Sequence, residues 1–127
     1  MPYDYDDQNI FAKILRGEIP NNTVMETEHT LAFNDIHAQA PVHVLVIPKG
    51  PYVTYDHFAL AASEAEIVDF TRVCGRICAA AGIQPGEGGQ GYRTISNAGE
   101  AAVQEVPHYH LHILAGRPLG RMLQKVG

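Results

Sequence analysis

Val106-Pro107-His108-Tyr109-His110-Leu111-His112-Ile113-Leu114 carries three histidines at strict two-residue spacing. Successive side chains of a β-strand point to opposite faces. A strand here therefore sets Tyr109, Leu111 and Ile113 on one side and all three imidazoles on the other. Each ring holds a polar nitrogen that needs a partner when buried. A row of them is a poor cover for a core. It suits a site that handles protons, phosphate or metal near neutral pH. Pro107 has no backbone N–H, so it belongs at a strand end or edge.

Working outward, Asn97 to Gln104 reads as a loop, and Tyr92 to Ser96 as a strand entered from a glycine-rich connection, Pro85 to Gly91. Val42 to Ile47, bracketed by Pro41 and Pro48, is a Val/Ile-rich strand apolar on both sides except at His43. Val24 to Glu26 and Leu31 to Asn34 read as two short strands joined by a polar turn. Two helices are expected. The first is capped by Asn9, carries Ile10, Phe11, Ile14 and Leu15 as its apolar stripe, and stops at Gly17 and Pro20. The second and longer one opens on a Ser63/Glu66 capping box and aligns Ile67, Phe70, Cys74, Ile77, Cys78 and Ala81 before Gly82 ends it. Short strands with two helices, one splitting the strand series, point to an α+β domain on an antiparallel sheet.

A chain of 127 residues fits one domain with a real core. A formal charge of −5, with no Lys/Arg run, argues against a dedicated nucleic-acid or membrane surface. Cys74 and Cys78, four apart on the long helix, suit one buried face better than a disulfide. The opening MPYDYDDQN is acidic where a secretory signal would be basic and then apolar, and no apolar run approaches spanning length. The chain reads as a single cytosolic domain over residues 1–127, with residues 1–8 a loose acidic arm.

The histidine row admits two chemistries. A His-x-His pair on a strand can share one zinc. His108 and His112 would stand about 13 Å apart at the strand rise, so three rings cannot meet one ion. Asp35, Glu105 and His43 would have to supply the remaining ligands. The other chemistry is nucleophilic: a neutral imidazole attacks phosphorus when one nitrogen is free and the other donates to a fixed acceptor. Flanking rings can then hold phosphate oxygens or protonate the leaving group. This reading gives each of the three a task. Elsewhere the plainer roles serve: Asp35 and Asn97 as turn residues, His43 as a satisfied core residue unless the imidazole strand lies beside it, and GEGGQGY as a flexible connection.

These residues together resemble the histidine-triad (HIT) family, in its Hint branch of nucleotide-binding phosphoramidases. The signature is His108-Tyr109-His110-Leu111-His112-Ile113-Leu114 preceded by Gln104-Glu105-Val106. Similar segments are Asn9-Ile10-Phe11, Arg16 with Glu18-Ile19-Pro20, Ala32-Phe33-Asn34-Asp35-Ile36, Gln39-Ala40-Pro41-Val42-His43, Leu45-Val46-Ile47-Pro48, Gly91-Tyr92-Arg93, Asn97 and Gly116-Arg117-Pro118-Leu119-Gly120. The resemblance implies a five-stranded antiparallel sheet with two helices, and two subunits sharing a ten-stranded sheet. It implies a purine nucleotide pocket, a covalent nucleotidyl-histidine, no required cofactor or metal, and residues 116–127 near the active site.

By position, His110 would be the nucleophile toward the α-phosphate and His108 its support. His112 and His43 would hold the phosphate region and the triad. Asp35 would bind the ribose hydroxyls, and Ile10, Phe11, Ile14, Phe33 and Ile36 would form the slot for the base. Asn34 and Gln104 complete the expected nucleotide contacts, with Asn97 near the phosphate and leaving group. Glu105 stands where many animal members have a serine, and would protonate the departing amine. The expected activity is cleavage of the P–N bond of a purine nucleoside 5′-phosphoramidate, or hydrolysis of an aminoacyl-adenylate. The rivals are a dinucleoside polyphosphate hydrolase, a nucleotide-sensing module with little turnover, and a zinc module.

Overall fold

A computed structural model describes residues 3–124. Strands β1 (Thr23–Glu26), β2 (Thr30–Asn34), β3 (Val42–Pro48), β4 (Tyr92–Ile95) and β5 (Leu111–Ala115) form one sheet. Its order is β1-β2-β3-β5-β4, with every neighbouring pair antiparallel. Helix α1 is Ile10–Leu15, α2 is Tyr55–Ala61 and α3 is Glu64–Ala80. The domain is α+β, as the strand and helix series predicts.

The register explains why β3 is apolar on both sides. β2 and β3 pair Leu31 with Ile47, Ala32 with Val46, and Phe33 with Leu45. Leu31, Phe33, Leu45 and Ile47 share one face with Phe11 and Ile14 of α1. Ala32, Val44 and Val46 turn to the other, where Phe70, Val73 and Ile77 of α3 cover them. A strand covered on both faces needs apolar side chains at every position. His43, which breaks the run, lies on the α1 face.

Both expected helices form. Asn9 caps α1 by accepting from Ala12 N. Ser63 and Glu66 close a reciprocal capping box on α3, and Gly82 follows with φ +70°, the left-handed stop glycine adopts most readily. The buried stripe of α3 differs in detail: Val73 lies in the core, whereas Ala81 is exposed. Helix α2 was not expected. Thr54 caps it through His57 N, and seven residues are too few to show a helical period. Short 3₁₀ turns at Pro85–Glu87 and Glu100–Ala102 interrupt the two long loops.

The histidine strand is shorter than its sequence suggests. Pairing of Val46 with Leu111 places Tyr109 opposite Pro48, which has no N–H to continue the ladder. The strand therefore begins at Leu111, and Tyr109 N donates instead to Tyr52 O at 2.7 Å. The alternation survives: Tyr109 and Ile113 join the α3-side core, and His108 and His110 meet Phe11 of α1.

The acidic arm is not loose where it is described. Residues 1 and 2 lie outside the described residues. Tyr3 stacks on His57 with ring centres 5.0 Å apart and donates to Asp56, while Tyr5 reaches His108. Two tyrosines tether what the charge pattern reads as solvated. At the other end Arg93 donates to Gly120 O, and Arg117 to Gln39 O at 2.8 Å; residues 125–127 lie outside the described residues. Both cysteines are free, in line with their placement on one helix.

Candidate active site

Beside α1, the sheet opens into a cavity of about 480 Å³. Ile10, Phe11, Ile14, Phe33, Asn34, Asp35, Ile36, Asn97, Gln104, Glu105, His110 and His112 all line it. Twelve residues spread over five separate stretches thus reach one space. His108 and His43 do not line it; they stand behind His110 and His112 and hold them.

Backbone groups decide the proton on each ring. His108 is fully buried, and its Nε2 lies 2.8 Å from Pro48 O, which only accepts; Nε2 therefore carries the hydrogen. His108 Nδ1 is then the acceptor for the Tyr5 hydroxyl at 2.6 Å. His110 Nδ1 lies 2.8 Å from His108 O and donates to it. That leaves the His110 Nε2 lone pair free. Among the described residues no buried side-chain nitrogen or oxygen lacks a partner, so Nε2, which has none, opens on the cavity.

A second chain of rings is set the same way. Gln39 N donates to His43 Nδ1 at 3.0 Å, which puts the hydrogen of the neutral ring on Nε2. His43 Nε2 donates to His112 Nδ1 at 2.9 Å and lies 3.4 Å from Asp35 Oδ2. His112 is left with its hydrogen on Nε2, a donor free for an anion. The loop that carries Gln39 is itself held by Arg117.

Burial keeps the rings neutral. It pushes His108 and His112 down to about 4, and in His112 the neighbouring His110 and His43 act in the same direction. His110 and His43 are lowered as well, again by burial first, with Asp35 opposing in both. Among the described residues no Lys or Arg lines the cavity. An anionic group there would meet imidazole N–H and amide donors, not a cationic clamp.

Asp35, His43 and His112 bring one ligand atom each within 4.8 Å of one another. The hydrogen bonds do not suit an ion. A metal needs the lone pair of His43 Nε2, but Gln39 N–H already engages the other nitrogen, so Nε2 holds the proton. The cluster is accounted for as a hydrogen-bond chain.

Several expected contacts take a more specific form. Gln104 lines the cavity, yet its amide is spent on backbone: Nε2 donates to Val53 O and Val106 O, and Oε1 accepts from Gly99 N. It shapes the loop before the histidines. Asp35 Oδ1 accepts from His37 N at 2.8 Å, and its Oδ2 lies 3.4 Å from His43 Nε2. Glu105 is exposed at the rim. Val103, beside it, holds a left-handed backbone at φ 56°, which a β-branched side chain resists. Ile19, Asn21, Asn22, His37 and Gln39 also line the cavity. Sequence reading missed them because Gln39 acts through a main-chain N–H that any residue but proline supplies. Tyr5 was hidden inside an acidic stretch.

A HIT domain is matched over residues 16–119. The chain is 54% identical over 125 residues to an uncharacterized 13.2 kDa HIT-like protein of Azospirillum brasilense, covering 98% of this chain and 99% of that one. It is 39% identical over 121 residues to the purine nucleoside phosphoramidase of Escherichia coli K12, covering 95% and 98%. Among solved structures, a HIT family hydrolase from Clostridium thermocellum superposes with a TM-score of 0.78 at 33% identity, covering 93% of this chain and 99% of that one. Fold, paired histidine chains and sequence agree: the chain belongs to the HIT family, whose hydrolases it matches along nearly its whole length.

Proposed function

We propose that the protein hydrolyses the P–N bond of purine nucleoside 5′-phosphoramidates, or the P–O bond of the acyl phosphate in aminoacyl-adenylates, through a nucleotidyl-His110 intermediate. The observation that carries this reading is the free Nε2 of His110, opposed by an Nδ1–H anchored on His108 O. In the first step Nε2 attacks the α-phosphorus and forms a P–N bond, while the bond to the amine breaks. His110 gains positive charge, which the His108 carbonyl stabilises through the Nδ1–H bond. The amine leaves only if protonated, and Glu105 at the rim, or His112, supplies that proton. Water then attacks phosphorus, releasing the nucleoside monophosphate and restoring the neutral ring.

His112 Nε2–H serves a phosphate oxygen in this reading, and Asp35 the ribose hydroxyls. The base enters between Ile10, Phe11, Ile14, Phe33 and Ile36, with Asn34 as a further nucleotide contact and Asn97 near the phosphate and leaving group. Nothing in the scheme requires a cofactor or metal. Support for the substrate class comes from the named activity of the E. coli relative.

We further infer a homodimer, from the family resemblance and from β4, a sheet edge whose outer side has no partner strand among the described residues. Two free cysteines suit a reducing cytoplasm, and no helix among the described residues is long and apolar enough to cross a membrane. To test the activity, adenosine 5′-phosphoramidate labelled at phosphorus is mixed with enzyme, quenched in alkali and mapped. Label on His110, with turnover lost and AMP binding kept in His110→Ala, is the expected result. Undiminished turnover in that variant removes the nucleophile assignment.

A further inference from the structure

The N-terminal arm meets the histidine row at one atom. His108 is wholly enclosed, and its Nε2–H is committed to Pro48 O, so the ring's remaining lone pair at Nδ1 needs a donor. A buried acceptor left without one costs the full desolvation of that group. The Tyr5 hydroxyl is the polar group there, at 2.6 Å. Its proton points inward, because Tyr5 Oη also receives Asn9 Nδ2–H at 3.0 Å. Asn9 in turn caps α1 through Oδ1, and α1 sets Phe11 edge-on to His110 with ring centres 5.0 Å apart.

The bonds converge on His108: Asn9 donates to Tyr5 and Tyr5 to the His108 ring, while His110 donates to the His108 carbonyl. We propose that Tyr5 is a positioning residue, whose hydroxyl holds the His108 ring in its neutral Nε2–H form and thereby keeps the His108 carbonyl aimed at His110 Nδ1. This rests on His110 as the nucleophile. During turnover His110 carries positive charge, and a neutral His108 beside it avoids a like-charge pair. Burial holds Tyr5 above its ordinary value, so the hydroxyl keeps the proton it donates. Phenylalanine in its place would retain the edge-on ring contact with His108, at 5.6 Å, and lose the hydroxyl's bonds to His108 and from Asn9, whose Nδ2 keeps Asp6 O as an acceptor.

The test compares Tyr5→Phe with Tyr3→Phe, which removes the arm's other hydroxyl bond, to Asp56, away from the cavity. Three quantities are read: the ¹⁵N resonances of the His108 ring without substrate, kcat and KM on adenosine 5′-phosphoramidate, and Kd for AMP. Tyr5→Phe is expected to shift the His108 Nδ1 resonance and lower kcat by about three- to tenfold, the span of one lost hydrogen bond, with KM and Kd within about twofold. Tyr3→Phe is expected to leave all of them unchanged. An unshifted Nδ1 resonance, wild-type kcat in Tyr5→Phe, or an equal fall of kcat in Tyr3→Phe overturns the proposal. Failure of wild-type enzyme to form nucleotidyl-His110 instead overturns the nucleophile reading, and is told apart because the resonances are read without substrate.

Discussion

His43 Nε2 lies 2.9 Å from His112 Nδ1, across two strands that pair Leu45 with His112. The bond runs from a buried ring whose other nitrogen is held by Gln39 N, so it fixes which nitrogen of His112 faces the cavity with a hydrogen. His43→Ala leaves His112 Nδ1 and Gln39 N–H without these partners. We expect a loss of about 1–3 kcal/mol in stability, measured by urea unfolding. kcat should fall at least tenfold through disorder at His112. Unchanged kcat would detach this ring pair from catalysis.

The histidines give the protein a defined acid limit. Folded values of about 4 for His108 and His112 lie below the ordinary 6.5, so the unfolded chain binds protons more readily between them. Their contribution to stability is whole above pH 6.5 and is lost as pH falls toward 4. Unfolding free energy measured at pH 7.5, 6 and 5 should decrease stepwise. The acid limb of kcat/KM should fall below pH 6.5, because burial lowers His110. A limb centred at or above that value would show that the attacking ring is not the buried one.

Glu105 lies exposed at the cavity rim. If it protonates the amine, Glu105→Ala slows substrates with basic leaving amines more than substrates with weakly basic ones. A plot of log kcat against leaving-amine pKa should steepen in the variant. Equal slowing across the series would remove its proton-transfer role.

Val103 adopts the left-handed region at the cavity rim, next to the loop that Gln104 pins. A non-glycine residue pays for that backbone, and Val103→Gly removes the penalty while adding unfolded-state entropy. The expected net gain is about 1 kcal/mol, read as a higher Tm. A lower Tm would show that packing of the valine outweighs its backbone strain.

Dimerisation through the open edge of β4 would place Tyr92 within an interface. Sedimentation should give about twice the chain mass, and Thr94→Pro, which removes a backbone N–H from that edge strand, should weaken association. A monomer at micromolar concentration would end the ten-stranded arrangement.

Residue order alone was enough to place both main helices and all five strands, and the family resemblance named twelve of the residues that line the cavity. Caps, stripes and alternation are local and periodic, so they survive in a linear reading. It also put the imidazoles on one side, since alternation needs only extended backbone. Where the histidine strand begins was not local: Pro48, some sixty positions away, ends the ladder opposite Tyr109. The arm's reading failed for a related reason. Its charges are visible in the chain, but the acceptor that captures Tyr5 belongs to His108. The proton on each ring likewise depends on Pro48 O, His108 O and Gln39 N, main-chain atoms present in nearly every residue type and aimed only by the folded sheet. Side-chain chemistry can be read from residue order; which lone pair stays free is settled by the backbone that folding brings beside it.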